Sequence, residues 1–243
     1  MKHSIKRFFL LTLISIVLLN ALPIFATSKI PAVCAQDEKV VYLTFDDGPT
    51  PKITNQILDV LKKNHVKATF FIVGKEIKGR EAILKRIYQE GHGIGLHTFS
   101  HNFKIIYKNT DSLIMEMEKT KATINEVLGT QLDIKAIRFP GGSAGRLSAK
   151  LYKSLNEKGY IIFDWNVDLK DGIKASLPPT QFVANSKKCR DTTNRRIILA
   201  HCNSNNKNTC TALDGIITYY KKQGYTFKAI DNSTSPYYFK FKK

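Results

Sequence analysis

Through residues 39–230, short apolar runs alternate with segments of helical period, and that alternation restricts the chain to an α/β fold with a parallel sheet. Residues 40–45, Val-Val-Tyr-Leu-Thr-Phe, read as a β-branched and aromatic strand. Ile53, Ile57 and Leu61 then recur every fourth residue, one stripe of a helix. The same reading predicts a strand at 68–73, a helix at 80–90 and a strand at 93–98. Residues 111–128 form the longest predicted helix, stopped by Gly129. A strand at 134–139, a helix at 148–158, a strand at 160–167 and a helix at 179–186 follow. A strand at 197–201, a helix at 211–223 ended by Gly224, and a strand at 227–230 complete the series. About seven strands fit either an open doubly wound sheet or a barrel.

Five polar clusters, each behind an apolar strand, favour the barrel, because barrel active sites assemble at the C-terminal ends of separate strands. The first cluster is Thr44-Phe45-Asp46-Asp47-Gly48-Pro49. Two adjacent carboxylates directly after an apolar strand are costly to bury unless paired or metal-bound. The second is His97-Thr98-Phe99-Ser100-His101, whose histidines, four apart, would share a face of a helical turn and a cation. With one carboxylate from the first cluster they make a three-ligand site that leaves room for water, the arrangement of a catalytic metal. The third is Arg138-Phe139-Pro140-Gly141-Gly142, an arginine suited to orienting carboxylates and glycines whose backbone N–H groups can approach a substrate oxygen. Asp164-Trp165-Asn166-Val167-Asp168-Leu169-Lys170-Asp171 is the fourth, and His201, capping the strand at 197–201, is the fifth. Each has an ordinary structural explanation when taken singly; five in series do not.

These motifs, in this order, resemble the polysaccharide deacetylases with a NodB-homology domain, carbohydrate esterase family 4. The resemblance implies a distorted (β/α)7 TIM-like barrel and a metal-dependent hydrolase that removes N-acetyl groups from N-acetylglucosamine units of a polysaccharide. It implies Asp46 as general base and Asp47, His97 and His101 as metal ligands. Gly141 would contribute a backbone N–H to the oxyanion, Arg138 would hold Asp46, and Asp171 would orient Arg138. His201 would protonate the leaving amine, and Leu199 would line the acetyl pocket. Zinc is the first expectation for the cation, with cobalt, nickel and manganese as alternatives. The chain departs from the family pattern at Gly172, where an aromatic residue is common, at Gly141, where many members have tyrosine, and at Leu96 and Cys202.

Peptidoglycan is the first expected glycan; chitin oligosaccharide, exopolysaccharide and acetyl-xylan are the alternatives, and a non-catalytic wall-binding protein is the reading of another class. No His-Glu-x-x-His motif supports a peptidase. Lys2, Lys6 and Arg7 precede an apolar run at 8–25 and small residues at Ala26, Ala32 and Ala35. That is the layout of a signal peptide, or of an N-terminal anchor if it is retained. The expected organisation is thus a leader at 1–35 and one catalytic domain at 36–243, secreted or bound to the cell surface, monomeric, and touching membrane only through an uncleaved leader. Formal net charge is +18, of which residues 1–35 carry four positive charges and no acid, so +14 remains on the rest. Such a surface is drawn to polyanions such as an anionic cell wall. The basic residues are scattered and follow no nucleic-acid-binding motif, so nucleic acid is not an expected partner. Cys189, Cys202 and Cys210 match no zinc-binding spacing; their pairing is open, Cys202–Cys210 being conceivable.

Overall fold

A computed structural model of the protein describes residues 38–240. The leader, Cys34, Lys242 and Lys243 lie outside the described residues. Strand β1 (Val40–Gly48) is central, pairing in parallel with β2 (Thr69–Ile72) on one side and β7 (Arg195–His201) on the other. Beyond β2 follow β3 (Gly93–Leu96), β4 (Ala136–Ile137) and β5 (Ile161–Ile162); beyond β7 lies β6 (Val167–Asp168). These seven parallel strands form a curled half-barrel of the expected (β/α)7 type, open between β5 and β6, and β8 (Thr226–Phe227) adds a short eighth against the start of β1.

Alternation along the strands sorts the side chains onto two faces. Val41, Leu43 and Phe45 of β1 join Phe70 and Ile72 of β2 and Ile198 and Ala200 of β7 in the larger core. Ile53, Ile57, Leu58 and Leu61 of α1 (Pro51–Lys63) complete it, with Leu113, Met117 and Ile124 of the long helix α4 (Thr110–Leu128). Gly129 ends α4 in the left-handed conformation, as its position predicts. The opposite face carries a smaller cluster of Phe71, Ala136, Phe163, Trp165, Ile197, Leu199 and Ile230. The remaining helices are α2 (Glu81–Gln89), α3 (Phe103–Ile106), α5 (Ala149–Glu157), α6 (Pro179–Ser186) and α7 (Lys207–Lys222). Among the described residues, no helix is long and apolar enough to cross a membrane.

One predicted strand is two. The apolar stretch at 160–167 splits into β5, paired with β4 at one edge of the sheet, and β6, paired with β7 at the other. The chain between them therefore crosses from edge to edge. Its polar groups explain how an irregular segment stays buried. Asp164 accepts from the Ser143 backbone N–H at 3.0 Å and the Phe239 N–H at 2.8 Å, and also from the Ser143 hydroxyl. Asn166 accepts from the Ile197 N–H at 2.7 Å and donates to the Arg195 carbonyl at 2.8 Å. The helix at 211–223 begins a turn earlier, at Lys207, and α3 was not visible as a periodic pattern. Cys189, Cys202 and Cys210 are all free thiols.

Asp164 ties three segments together while fully buried, so Asp164→Ala should strand their donors. The expected cost is about 3 kcal/mol of unfolding free energy, read from urea denaturation; a loss under about 1 kcal/mol would show that the crossing is held by its apolar residues instead.

Candidate active site

The inward-facing column of β1 is Tyr42, Thr44 and Asp46, and that of β7 is Ile197, Leu199 and His201. Parallel register sets Thr44 beside Leu199 and Asp46 beside His201. In a regular strand Asp47 would point to the opposite face from Asp46. Here the β1–β2 register shifts between Asp46 and Gly48, and Asp47 takes φ 72°. This bulge turns the second carboxylate to the same side as the first.

Asp46 is buried, and its Oδ1 accepts from Arg138 Nη1 at 2.9 Å. Arg138 is itself fully buried, donating from Nη1 to Thr44 Oγ1 at 2.6 Å and from Nε to the Phe163 carbonyl at 2.7 Å. Its guanidinium lies 4.1 Å from the centre of the Phe71 ring. Asp46 Oδ2 remains clear of that pairing, 3.7 Å from His97 Nε2.

Asp47 Oδ1 lies 3.5 Å from His97 Nε2 and 3.2 Å from His101 Nε2. One ligand atom from each of these residues can be chosen so that all lie within 4.8 Å of one another. Asp47 Oδ1 is buried without a hydrogen-bond partner, whereas Oδ2 accepts from Asn203 Nδ2 at 2.9 Å. A buried carboxylate oxygen facing two imidazole nitrogens, with the other oxygen tied back, is a donor set fitted to a divalent cation. His97 Nδ1 lies 2.8 Å from the Arg138 carbonyl; because a carbonyl only accepts, Nδ1 carries the proton and Nε2 is left to coordinate. Burial opposes ionisation of Asp47, but the adjacent imidazole of His97, with the charges of His201 and His101, holds its carboxyl well below the usual range. Burial also disfavours a charged His97, yet Asp46 and Asp47 raise its pKa.

The two histidines do not lie on a helical turn, as their spacing suggested. Residues 97–101 form a loop in which Thr98 (φ 64°) and His101 (φ 51°) are left-handed. Glu116 of α4 accepts the Phe99 and Ser100 N–H groups at 2.9 and 2.6 Å, holding that loop in place. A second correction concerns Asp171. It was expected to orient Arg138 but instead accepts from His201, at 2.8 Å from Nδ1 and 2.9 Å from the backbone N. The Thr209 hydroxyl fixes the same carboxylate at 2.8 Å. The side chains of Arg138 and Asp171 thus serve different walls of the site.

Asp46, Asp47, His97, His101, Gly141, Leu199 and His201 together line a cleft of ≈ 340 Å³, with Trp165, Asp168, Gly172 and Ile173. A second depression of ≈ 450 Å³ shares Asp47 and His101 and continues past Asn203, Lys75 and Arg80. The candidate metal-ligand set thus sits between two cavities. Asn203, Thr209 and Glu116 were missed from sequence because each acts through a backbone or carboxylate placed by the fold, and no spacing marks them.

The polysaccharide deacetylase family model matches residues 34–160. The chain belongs to the polysaccharide deacetylase family. It is 33% identical over 197 residues to a peptidoglycan-N-acetylglucosamine deacetylase of Bacillus cereus, covering 80% of this chain and 70% of that protein. It is 35% identical over 195 residues to the peptidoglycan-N-acetylmuramic acid deacetylase PdaA of Bacillus subtilis, covering 80% and 71%. A carbohydrate esterase 4 structure from Streptococcus mutans superposes with a TM-score of 0.75 at 33% identity, covering 80% of this chain and 87% of that one. This deacetylase is accordingly a hydrolase of the (β/α)7 barrel-like family fold.

Two predictions concern His201. Burial disfavours its charged form, but the hydrogen bond and charge of Asp171, with Asp46 and Asp47 beyond, raise its pKa from 6.5 to about 9. A folded-state pKa above the unfolded one stabilises the fold fully below pH 6.5, and that contribution is lost as pH rises through about 9. Denaturation of the metal-free protein from about pH 6 to about pH 9.5 should show this decline, and Asp171→Asn should flatten it. Gly172 packs directly on the imidazole: a Cβ there would stand 2.4 Å from His201 Cε1 and 2.6 Å from Nε2. Gly172→Ala should therefore displace the ring from Asp171, and an NMR titration should find the His201 pKa falling from about 9 towards 6.5.

Proposed function

We propose that this deacetylase hydrolyses N-acetyl groups of N-acetylglucosamine units in peptidoglycan, with a divalent cation, zinc first, held by Asp47, His97 and His101. The observation that carries the reading is the division between the adjacent carboxylates. Asp47 faces the two histidines, while Asp46 is tied to Arg138 through one oxygen and keeps the other towards the cleft.

A bound divalent cation would lower the pKa of water and polarise the acetyl carbonyl. Asp46, kept in place by Arg138, takes a proton from the attacking water at Oδ2. Gly141, at φ 71° on the cleft wall, presents its backbone to the oxygen on which negative charge develops. His201, protonated on both ring nitrogens and anchored through Nδ1 to Asp171, delivers the Nε2 proton to the departing amine. Leu199 and Trp165 supply apolar wall for the acetyl methyl and the sugar ring. All of these groups sit on strand ends or on loops clamped to them, so the geometry is set before substrate arrives.

The two cavities flanking Asp47 and His101 suit a polymer lying across the site. The peptidoglycan deacetylases among the similar proteins support that glycan over chitin, exopolysaccharide or acetyl-xylan. A wall glycan is met outside the cytoplasm, in keeping with the signal-like leader, and the net charge of +18 suits an anionic wall. The protein is read as acting as a monomer.

Asp46→Asn should reduce acetate release from purified peptidoglycan by about 10³-fold while metal content per chain stays at the wild-type level. Asp47→Ala should lose the metal itself. Acetate release that survives both Asp46→Asn and exhaustive chelation would overturn the mechanism, and release from acetyl-xylan alone would overturn the amide substrate.

A further inference from the structure

Gly141 stands on the cleft wall, and what fills the space beside it is Arg146. A Cβ added to Gly141 would lie 3.1 Å from Arg146 Nη2, 3.4 Å from its Cζ and 3.4 Å from Phe103 Cε1. The guanidinium is held rather than mobile. Its Nη1 donates to the carbonyls of Gly141 at 3.0 Å, Gly142 at 3.2 Å and Ala144 at 3.4 Å. Its Cζ lies 5.5 Å from the Phe103 ring centre and 5.1 Å from that of Tyr107. Tyr107 is fixed in turn by its hydroxyl on the Pro140 carbonyl at 2.7 Å. Phe103 sets its edge against the metal-site residue His101, ring centres 5.8 Å apart. The charge therefore sits one aromatic ring away from the metal-ligand set.

Among the described residues the side-chain hydrogen bonds of Arg146 all leave through Nη1 to neutral carbonyls, and no carboxylate pairs with it. A loop clamp alone does not need a guanidinium whose Nη2 is left over beside Gly141 of the cleft wall. Arginine presents its donors as a planar fork, so pinning one nitrogen and stacking the plane pre-orients the other for an oxygen anion.

We propose that Arg146 is a specificity-determining residue that reads a carboxylate carried by the glycan at, or next to, the sugar losing its acetyl group. The inference rests on the deacetylase reading of the site and narrows its substrate class to acidic N-acetylhexosamine strands. Two sources offer such a carboxylate: an ether-linked lactyl group on the sugar ring, or the peptide attached to it.

Three glycans separate these sources: a neutral N-acetylglucosamine oligomer, a peptidoglycan strand trimmed of its peptides, and the same strand with peptides intact. A trimmed strand with amidated carboxyl groups serves as the uncharged control. The wild type should prefer the trimmed acidic strand over both the neutral oligomer and the amidated control, with the preference shrinking as salt rises. Arg146→Gln should cut the ratio of kcat/KM between acidic and amidated strands about tenfold, chiefly through KM. Any loss common to both strands reports the loop clamp instead. Arg146→Lys keeps the charge and should retain part of the preference, which also guards against a variant that fails to fold. Preference appearing only with peptides intact assigns the carboxylate to the peptide rather than the sugar. An unchanged ratio in Arg146→Gln overturns the inference and leaves the deacetylase reading standing. Failure of the wild type to release acetate from any of the glycans overturns both.

Discussion

The site depends on one buried ion pair. Arg138 lies fully inside the curve of the sheet, and burying a lone guanidinium would cost several kcal/mol. Here Asp46 supplies the counter-charge, Thr44 and the carbonyls of Phe163 and Asp164 take further donors, and Phe71 stacks on the plane. Its own backbone carbonyl faces His97 Nδ1. One side chain thus positions the proposed base, and its backbone sets the tautomer of a candidate metal ligand. The carbonyls it binds belong to the segment that crosses between the sheet edges. Nothing else in the inner cluster of aromatic and aliphatic residues could neutralise that charge, so the polar site and the apolar inner core specify each other.

The two working walls differ in construction. On one, the parallel β1–β7 register sets Asp46 beside His201, and Asp171, Thr209 and Gly172 then confine the imidazole. On the other, loop rather than strand geometry brings His97 and His101 together, with Glu116 replacing absent backbone partners. In the proposed mechanism the first wall handles protons and the second offers cation ligands. The bulge at Asp47 is where they join.

Much of this was legible in the residues. Period-two and period-four patterns located the main strands and helices, and the polar clusters behind the strands marked Asp46, Asp47, His97, His101, Arg138 and His201. Periodicity failed at 160–167, because an apolar run reports burial and not which strand its ends pair with; β5 and β6 lie at opposite edges. Spacing failed at His97 and His101, since a four-residue interval suits a helical turn or a loop with two left-handed residues. The assignment of Asp171 to Arg138 failed for a related reason: two charged groups known to belong to one site can pair in more than one way. The contacts around Gly172 and Arg146 were illegible because a glycine's role is set by what approaches it.

The left-handed backbone at Asp47 bears on how easily such a site is lost. Aspartate and asparagine are the side chains that best tolerate positive φ, so an Asp-to-Asn exchange would keep the bulge, the strand register and the Asn203 contact while deleting the charge that faces both histidines. The conformation that makes the ligand possible also leaves a nearly isosteric neighbour within easy reach in sequence space. A chain built this way can fall silent as a catalyst without losing its fold, and the intact barrel of a relative is therefore poor testimony that the relative still works.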